Sequence, residues 1–142
     1  MYTTEGIILK KTDYGETDAL FTLYTRDFGK MRALAQGVKK EGAKLKGHLE
    51  PPNLCRVGFV LGKNGERLTH AEVMISWPVI RINFEKIHTA LGMAERIDAH
   101  CFPGEKDAML WEHIITYFTV LEKEAEIAGD FLHSFEKIFA YE

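Results

Sequence analysis

The hydrophobic pattern changes period once along the chain, near residue 80, and that single change constrains the fold more than any other feature. Before it, apolar residues come in short blocks bounded by turn signals, the patterning of strands. After it they recur every three to four residues, the patterning of helices. Residues 3 to 12 and 20 to 25 are rich in Thr, Ile, Leu, Phe and Tyr and are separated by Asp13-Tyr14-Gly15-Glu16. Arg26-Asp27-Phe28-Gly29 makes a second turn, and Lys30 to Gln36 resumes as a third strand. Gly37 to His48 then carries Lys39, Lys40, Lys44 and Lys46 among three glycines, which predicts a mobile, positively charged loop. Beyond Pro51-Pro52, Leu54 to Leu61 and Arg67 to Ile75 flank Gly62-Lys63-Asn64-Gly65, where Asn-Gly is a strong hairpin signal.

Five short strands with a long excursion between the third and fourth match the order of an oligonucleotide-binding (OB) barrel, expected over residues 1–80. In the second strand Phe21 and Leu23 share one face, and Leu20, Thr22 and Tyr24 share the other. Only one of these faces can fill the barrel. Residues 81–142 are expected to form a three-helix segment. The first helix follows Asn83 as its cap, carries Ile87, Ala90, Leu91, Ala94, Ile97 and Cys101 on one face, and ends at Pro103-Gly104. The second runs from about Asp107 to Glu124 with Leu110, Trp111, Ile114, Phe118 and Leu121 inward. The third turns Ala128, Phe131, Leu132, Phe135, Ile138 and Phe139 inward. It reaches Tyr141 without a glycine cap or polar stop, so the helical part is expected to be incomplete. The absence of a Pro- or Ser-rich linker predicts that barrel and helices pack together.

Charge separates the two parts as well. The whole chain has a net charge of −3, but residues 1–80 hold 12 Lys+Arg against 9 Asp+Glu, and residues 81–142 hold 6 against 12. A balance of +3 is followed by one of −6. With 142 residues, 46% of them hydrophobic, the chain can bury a core without staples. Cys55 and Cys101 lie far apart and form no CxxC pair, so neither a disulfide framework nor a structural zinc site is expected, and the expected compartment is the cytoplasm. The run Ile7-Ile8-Leu9 is too short for a signal segment or a membrane span.

The chemistry-bearing residues favour binding over catalysis. A basic track is expected from Lys10 and Lys11, from Arg26, Lys30 and Arg32 around the second turn, and from Lys39, Lys40, Lys44 and Lys46 in the loop. Lysines near a barrel face neutralise phosphates and release counterions, which supplies most sequence-independent affinity. The bland alternative is that they keep a glycine-rich loop solvated. Tyr14 and Phe28, at turns, are candidates to stack on bases, or else to lid a small core. Gly62-Lys63-Asn64-Gly65 lacks the GxxxxGK[ST] spacing of a phosphate-cradling loop. Asp98, His100 and Cys101 are adjacent in sequence but point in different directions on a helix, and Glu85 and His88 read as a surface pair before a metal site. The stripe of Trp111, Phe118, Phe131, Phe135 and Phe139 is expected to be core, with receipt of a partner peptide as the alternative. No catalytic residue and no metal ligand is assigned.

The stretches TEGIILKK, YGETDALFTLYTRDFGKMRALAQGVKK, LEPPNLCRV and LTHAEV resemble the N-terminal region of the bacterial RecO family, and Ser134-Phe135-Glu136 extends the likeness into the last helix. That resemblance implies an OB fold followed by a helical domain, and a non-enzymatic mediator of DNA repair and recombination. Such a mediator binds single- and double-stranded DNA, anneals complementary strands, and acts with RecR and the single-stranded DNA-binding protein to load RecA. It implies a cytoplasmic, nucleoid-associated protein. The family's four-cysteine zinc module lies further on than this chain reaches, so the expected cofactor is none. The alternative function is a protein-interaction scaffold within a repair complex, with little DNA affinity of its own.

Overall fold

A computed structural model describes residues 1–124. Among these, five strands precede three helices: β1 (Tyr2–Tyr14), β2 (Asp18–Thr25), β3 (Gly29–Ala35), β4 (Leu54–Gly62), β5 (Gly65–Ile75), α1 (Pro78–Ile82), α2 (Phe84–His100) and α3 (Ala108–Lys123). The strands close into a barrel in the order β1-β2-β3-β5-β4. Every pairing is antiparallel except β3 with β5, which is parallel through Ala33↔Glu66 and Leu34↔Arg67. The expected OB barrel is therefore present, each strand lying within a few residues of its sequence reading.

β1 serves two neighbours, pairing β4 from Tyr2 to Ile7 and β2 from Gly6 to Tyr14. A shift of register between Ile8 and Lys10 lets it bend from one to the other. That bulge also resets parity. Ile8 faces the barrel interior opposite Leu23, while Lys10 pairs with Thr22 on the outside. The interior holds Ile8, Phe21, Leu23, Met31, Val57 and Phe59, together with several alanines, which settles which face of β2 is buried in the barrel. Tyr24, on the other face, is buried too, but under the helices.

The connection from β3 to β4 is a positively charged loop, as expected, and is built of turns. Backbone bonds Lys40→Gly37, Ala43→Lys40, Lys46→Ala43 and His48→Leu45 wind it into successive turns. Val38 and Leu49 are buried from it and Leu45 packs beside them, so it plugs one barrel end while its lysines stay outside.

A second core lies on the outer surface of the barrel. Ile7, Leu9 and Tyr24 meet Trp77 and Ile80, the α2 residues Met93 and Ile97, and the α3 residues Trp111, Ile114, Phe118 and Leu121. Barrel and helices thus share buried surface, as expected. On α2, Met93 is buried where Leu91 was expected; Leu91 is 39% exposed. Asn83 caps α2 by accepting from the Lys86 amide (3.0 Å), and Asp107 caps α3 by accepting from that of Leu110 (3.0 Å).

The sequence reading passes over the short α1, although Pro78 stands in its first turn, a position that favours a helix start. Its first amides, Val79 (2.7 Å) and Ile80 (3.0 Å), donate to the Glu122 carboxylate from α3, and the Arg81 guanidinium donates to the carbonyls of Ser76, Glu50 and Pro51. Most of these partners are remote in sequence, and five residues are too few to show a helical period, which is why the helix is hard to read locally. The third expected helix, with Phe131, Phe135 and Phe139, lies outside the described residues.

Candidate nucleic-acid interface

Strand register sorts the nine expected cations into groups. Lys10↔Thr22 and Thr22↔Arg32 form one row across the outer face of β1, β2 and β3, with both cations exposed. The next row is Thr12↔Leu20↔Leu34, continued across the closure by Arg67. Arg67 is exposed and its guanidinium donates to Gln36 Oε1 (3.4 Å). Arg67 was absent from the expected track. It lies 35 positions from Arg32, and only the parallel pairing brings the two onto one face. The β1–β2 turn and the β4–β5 turn, with Lys63 at its tip, frame this face.

Lys11, Lys39 and Lys46 line a second region, a cleft of about 310 Å³ at the plugged barrel end, floored by Phe21, Val38 and Leu49. Part of its charge is committed locally. Lys11 pairs with Glu50 (3.8 Å), and Lys39 pairs with Asp13 (3.6 Å) and donates to the Gly15 carbonyl (3.3 Å). Lys40 and Lys44 are exposed on the same connection.

Arg26 and Lys30 stand apart from both. Arg26 is exposed beside Glu5 (3.7 Å), a carboxylate it shares with Arg56 (3.9 Å). Lys30 is only 8% exposed. Its ammonium contacts the Asp98 carboxylate at 2.7 Å and donates to the Asp98 carbonyl at 2.6 Å, which ties β3 to α2. Its charge is spent inside the molecule.

The two aromatic candidates part ways. Tyr14 is 59% exposed at the end of β1. Phe28 is half-buried, edge-on to Phe59 (5.3 Å) and to Tyr2 (5.8 Å), and closes the barrel end opposite the plug. Tyr2 had no sequence signal beyond its residue type, yet it presents the accessible ring of this cluster, stacked on Phe59 at 5.3 Å.

Of the residues considered for catalysis, His100 and Cys101 line one cavity of about 620 Å³ with Tyr24, Asp107 and His113, while Asp98, Glu85 and His88 are not part of its lining. Asp98 is turned toward Lys30, and the His100 ring nitrogen Nδ1 lies 2.8 Å from the Arg96 carbonyl. The Tyr24 phenol is pushed up to about 12 by burial, with the negative charges of Cys101 and Asp107 adding to the shift. Burial likewise pushes the Cys55 thiol up to about 12. Among the described residues no group of three His, Cys, Asp or Glu could hold a metal ion, and the two cysteines sit in different cores, so these residues do not fit a zinc module.

A five-stranded closed barrel with a cation row on its outer β1–β2–β3 face and helices on the adjoining surface defines an OB-type binding domain, a class that takes oligonucleotides or oligosaccharides across this face. The family model "Recombination protein O N terminal" matches residues 1–77, and the chain belongs to the RecO family. It is 31% identical over 121 residues to the DNA repair protein RecO of Heliobacterium modesticaldum, covering 85% of this chain and 44% of that protein. It is 30% identical over 129 residues to that of Pelotomaculum thermopropionicum (91% and 48%) and 29% identical over 141 residues to that of Acaryochloris marina (98% and 48%). The chain spans about half the length of the curated relatives it matches.

Proposed function

We propose that this chain is the DNA-holding portion of a recombination and repair mediator. It binds single- and double-stranded DNA without catalysing a reaction or using a cofactor. Through partners of the RecR, single-stranded DNA-binding and RecA kinds it promotes annealing and RecA loading, in the cytoplasm at the nucleoid. The observation that carries this reading is the row Lys10–Thr22–Arg32 with Arg67 beside it, a cationic face on a barrel of the RecO family. Exposed cations on a sheet neutralise phosphates without reading bases, which suits a protein that must act on any sequence.

The test is a titration of a labelled single-stranded oligonucleotide at several salt concentrations with wild type and with Lys10, Arg32 and Arg67 changed to Ala. Log K should fall linearly with log salt, and the triple variant's slope should be shallower by about 0.7 for each phosphate it no longer neutralises. Lys30→Gln is the control: it should lower stability and leave the slope alone. An unchanged slope in the triple variant would move DNA binding elsewhere. The scaffold alternative draws on Ile82 and Phe84, which are 87% and 84% exposed; it expects no oligonucleotide binding even at low salt.

A further inference from the structure

We propose that the groove at the barrel end closed by Phe28 is a subsite for one unstacked nucleobase, which makes the protein distinguish single strands from duplex. The proposal rests on the DNA-binding reading above. The groove, about 630 Å³, lies between the barrel end and the α2–α3 connection, a volume usual for small-ligand sites.

Its floor is a supported aromatic platform. Tyr2 lies nearly parallel to Phe59 at 5.3 Å, Phe28 braces both rings edge-on, and Tyr2 remains 47% exposed. A ring fixed on one side and open on the other is what base stacking needs, since every base offers a π-face. Leu61, 65% exposed, and Pro103 supply apolar wall, and the Gly104 amide holds the opposite rim by donating to the Lys30 carbonyl (3.0 Å).

Charge says what enters. Arg32 and Lys106 line the groove, and Arg32 also belongs to the outer cation row. A strand whose phosphates follow Lys10 and Arg32 therefore passes the groove mouth with its bases within reach of Tyr2. Two carboxylates face the groove as well. Asp27 already accepts from the Thr4 hydroxyl (2.8 Å), and Glu66 offers an acceptor for a base's exocyclic amine. In a duplex the bases are stacked on one another, so the platform has nothing to receive.

The experiment compares three ligands of equal length, a single strand, its abasic counterpart and the duplex, binding to wild type, Tyr2→Ala and Tyr2→Phe, with thermal melts confirming that each variant folds. Tyr2→Ala should weaken the single strand about tenfold, Tyr2→Phe should restore it, and duplex binding should be unchanged. Wild type should bind the abasic strand more weakly than the normal strand, a readout that needs no variant. Equal affinity for normal and abasic strands, or an equal loss on duplex, would overturn the base subsite while leaving phosphate binding intact. Failure of wild type to bind any of the three at low salt would overturn both.

Discussion

At the scale of single residues, identity counts for less than where the strand pleat points each side chain. Lys10 and Arg32 come to share a face because the β1 bulge resets parity just before Lys10. Lys30, two positions from Arg32 on the same strand, is buried by Asp98 from α2. The sequence shows all three as cations and cannot show which is free, because the deciding contacts come from a bulge and from a residue 68 positions away. Tyr14 and Phe28 illustrate the same point for aromatics. Burial leaves its own mark on titration. Tyr24 and Cys55 are neutral when protonated, and both hold the proton more tightly when folded, with values near 12. Their contribution to stability is complete below the unfolded pKa and is lost as pH rises through the window up to about 12, Cys55 starting near 9.0 and Tyr24 near 10.0. Urea unfolding from about pH 8 to about pH 11.5 should therefore show a steady alkaline loss of stability, and Tyr24→Phe should flatten its upper part. A slope identical in the variant would remove Tyr24 from the explanation.

At the scale of elements, local signals are sufficient for strands and capped helices and insufficient for connections. Asn83, Asp107 and the Pro103-Gly104 stop act within one turn of chain, so the limits of α2 and α3 are legible. The β3–β4 connection is legible only as long and basic. Its plug residues Val38, Leu45 and Leu49 stand at helical spacing, but Gly42 and Gly47, both at positive φ, break the segment into turns, so the spacing misleads. The start of β3 is where barrel and helical backbones crowd together. Gly29 has φ 69°, and a Cβ there would overlap the Glu105 carbonyl of the α2–α3 connection. Both the left-handed backbone and the missing side chain are required. Gly29→Ala should cost about 2–4 kcal/mol in chemical denaturation. Gly15→Ala, at φ 71° with nothing near its Cβ, bears the conformational cost alone and should lose less. Equal losses would mean that the approach of residue 105 carries no energy.

At the scale of the whole molecule, two cores are built on opposite sides of the β1–β2 sheet, and this arrangement decides where a ligand can lie. The helices cover the half bearing Ile7, Leu9 and Tyr24, and leave uncovered the half on which Lys10 and Arg32 are exposed around the buried Thr22. The barrel and its family are readable from turn spacing and from the dense motif between Tyr14 and Lys40. The side of the barrel that the helices occupy is not, because it depends on packing between segments far apart in the chain. The central claim is that DNA lies across the open half of this sheet. It is tested most directly by mapping backbone amide shifts in NMR spectra of the protein as a single-stranded oligonucleotide is added at low salt. The largest shifts are expected at Lys10, Thr22, Arg32 and Arg67 and at the two turns that frame them, with α2 and α3 silent. Shifts concentrated on the helices, with the β1–β2–β3 face unmoved, would contradict it.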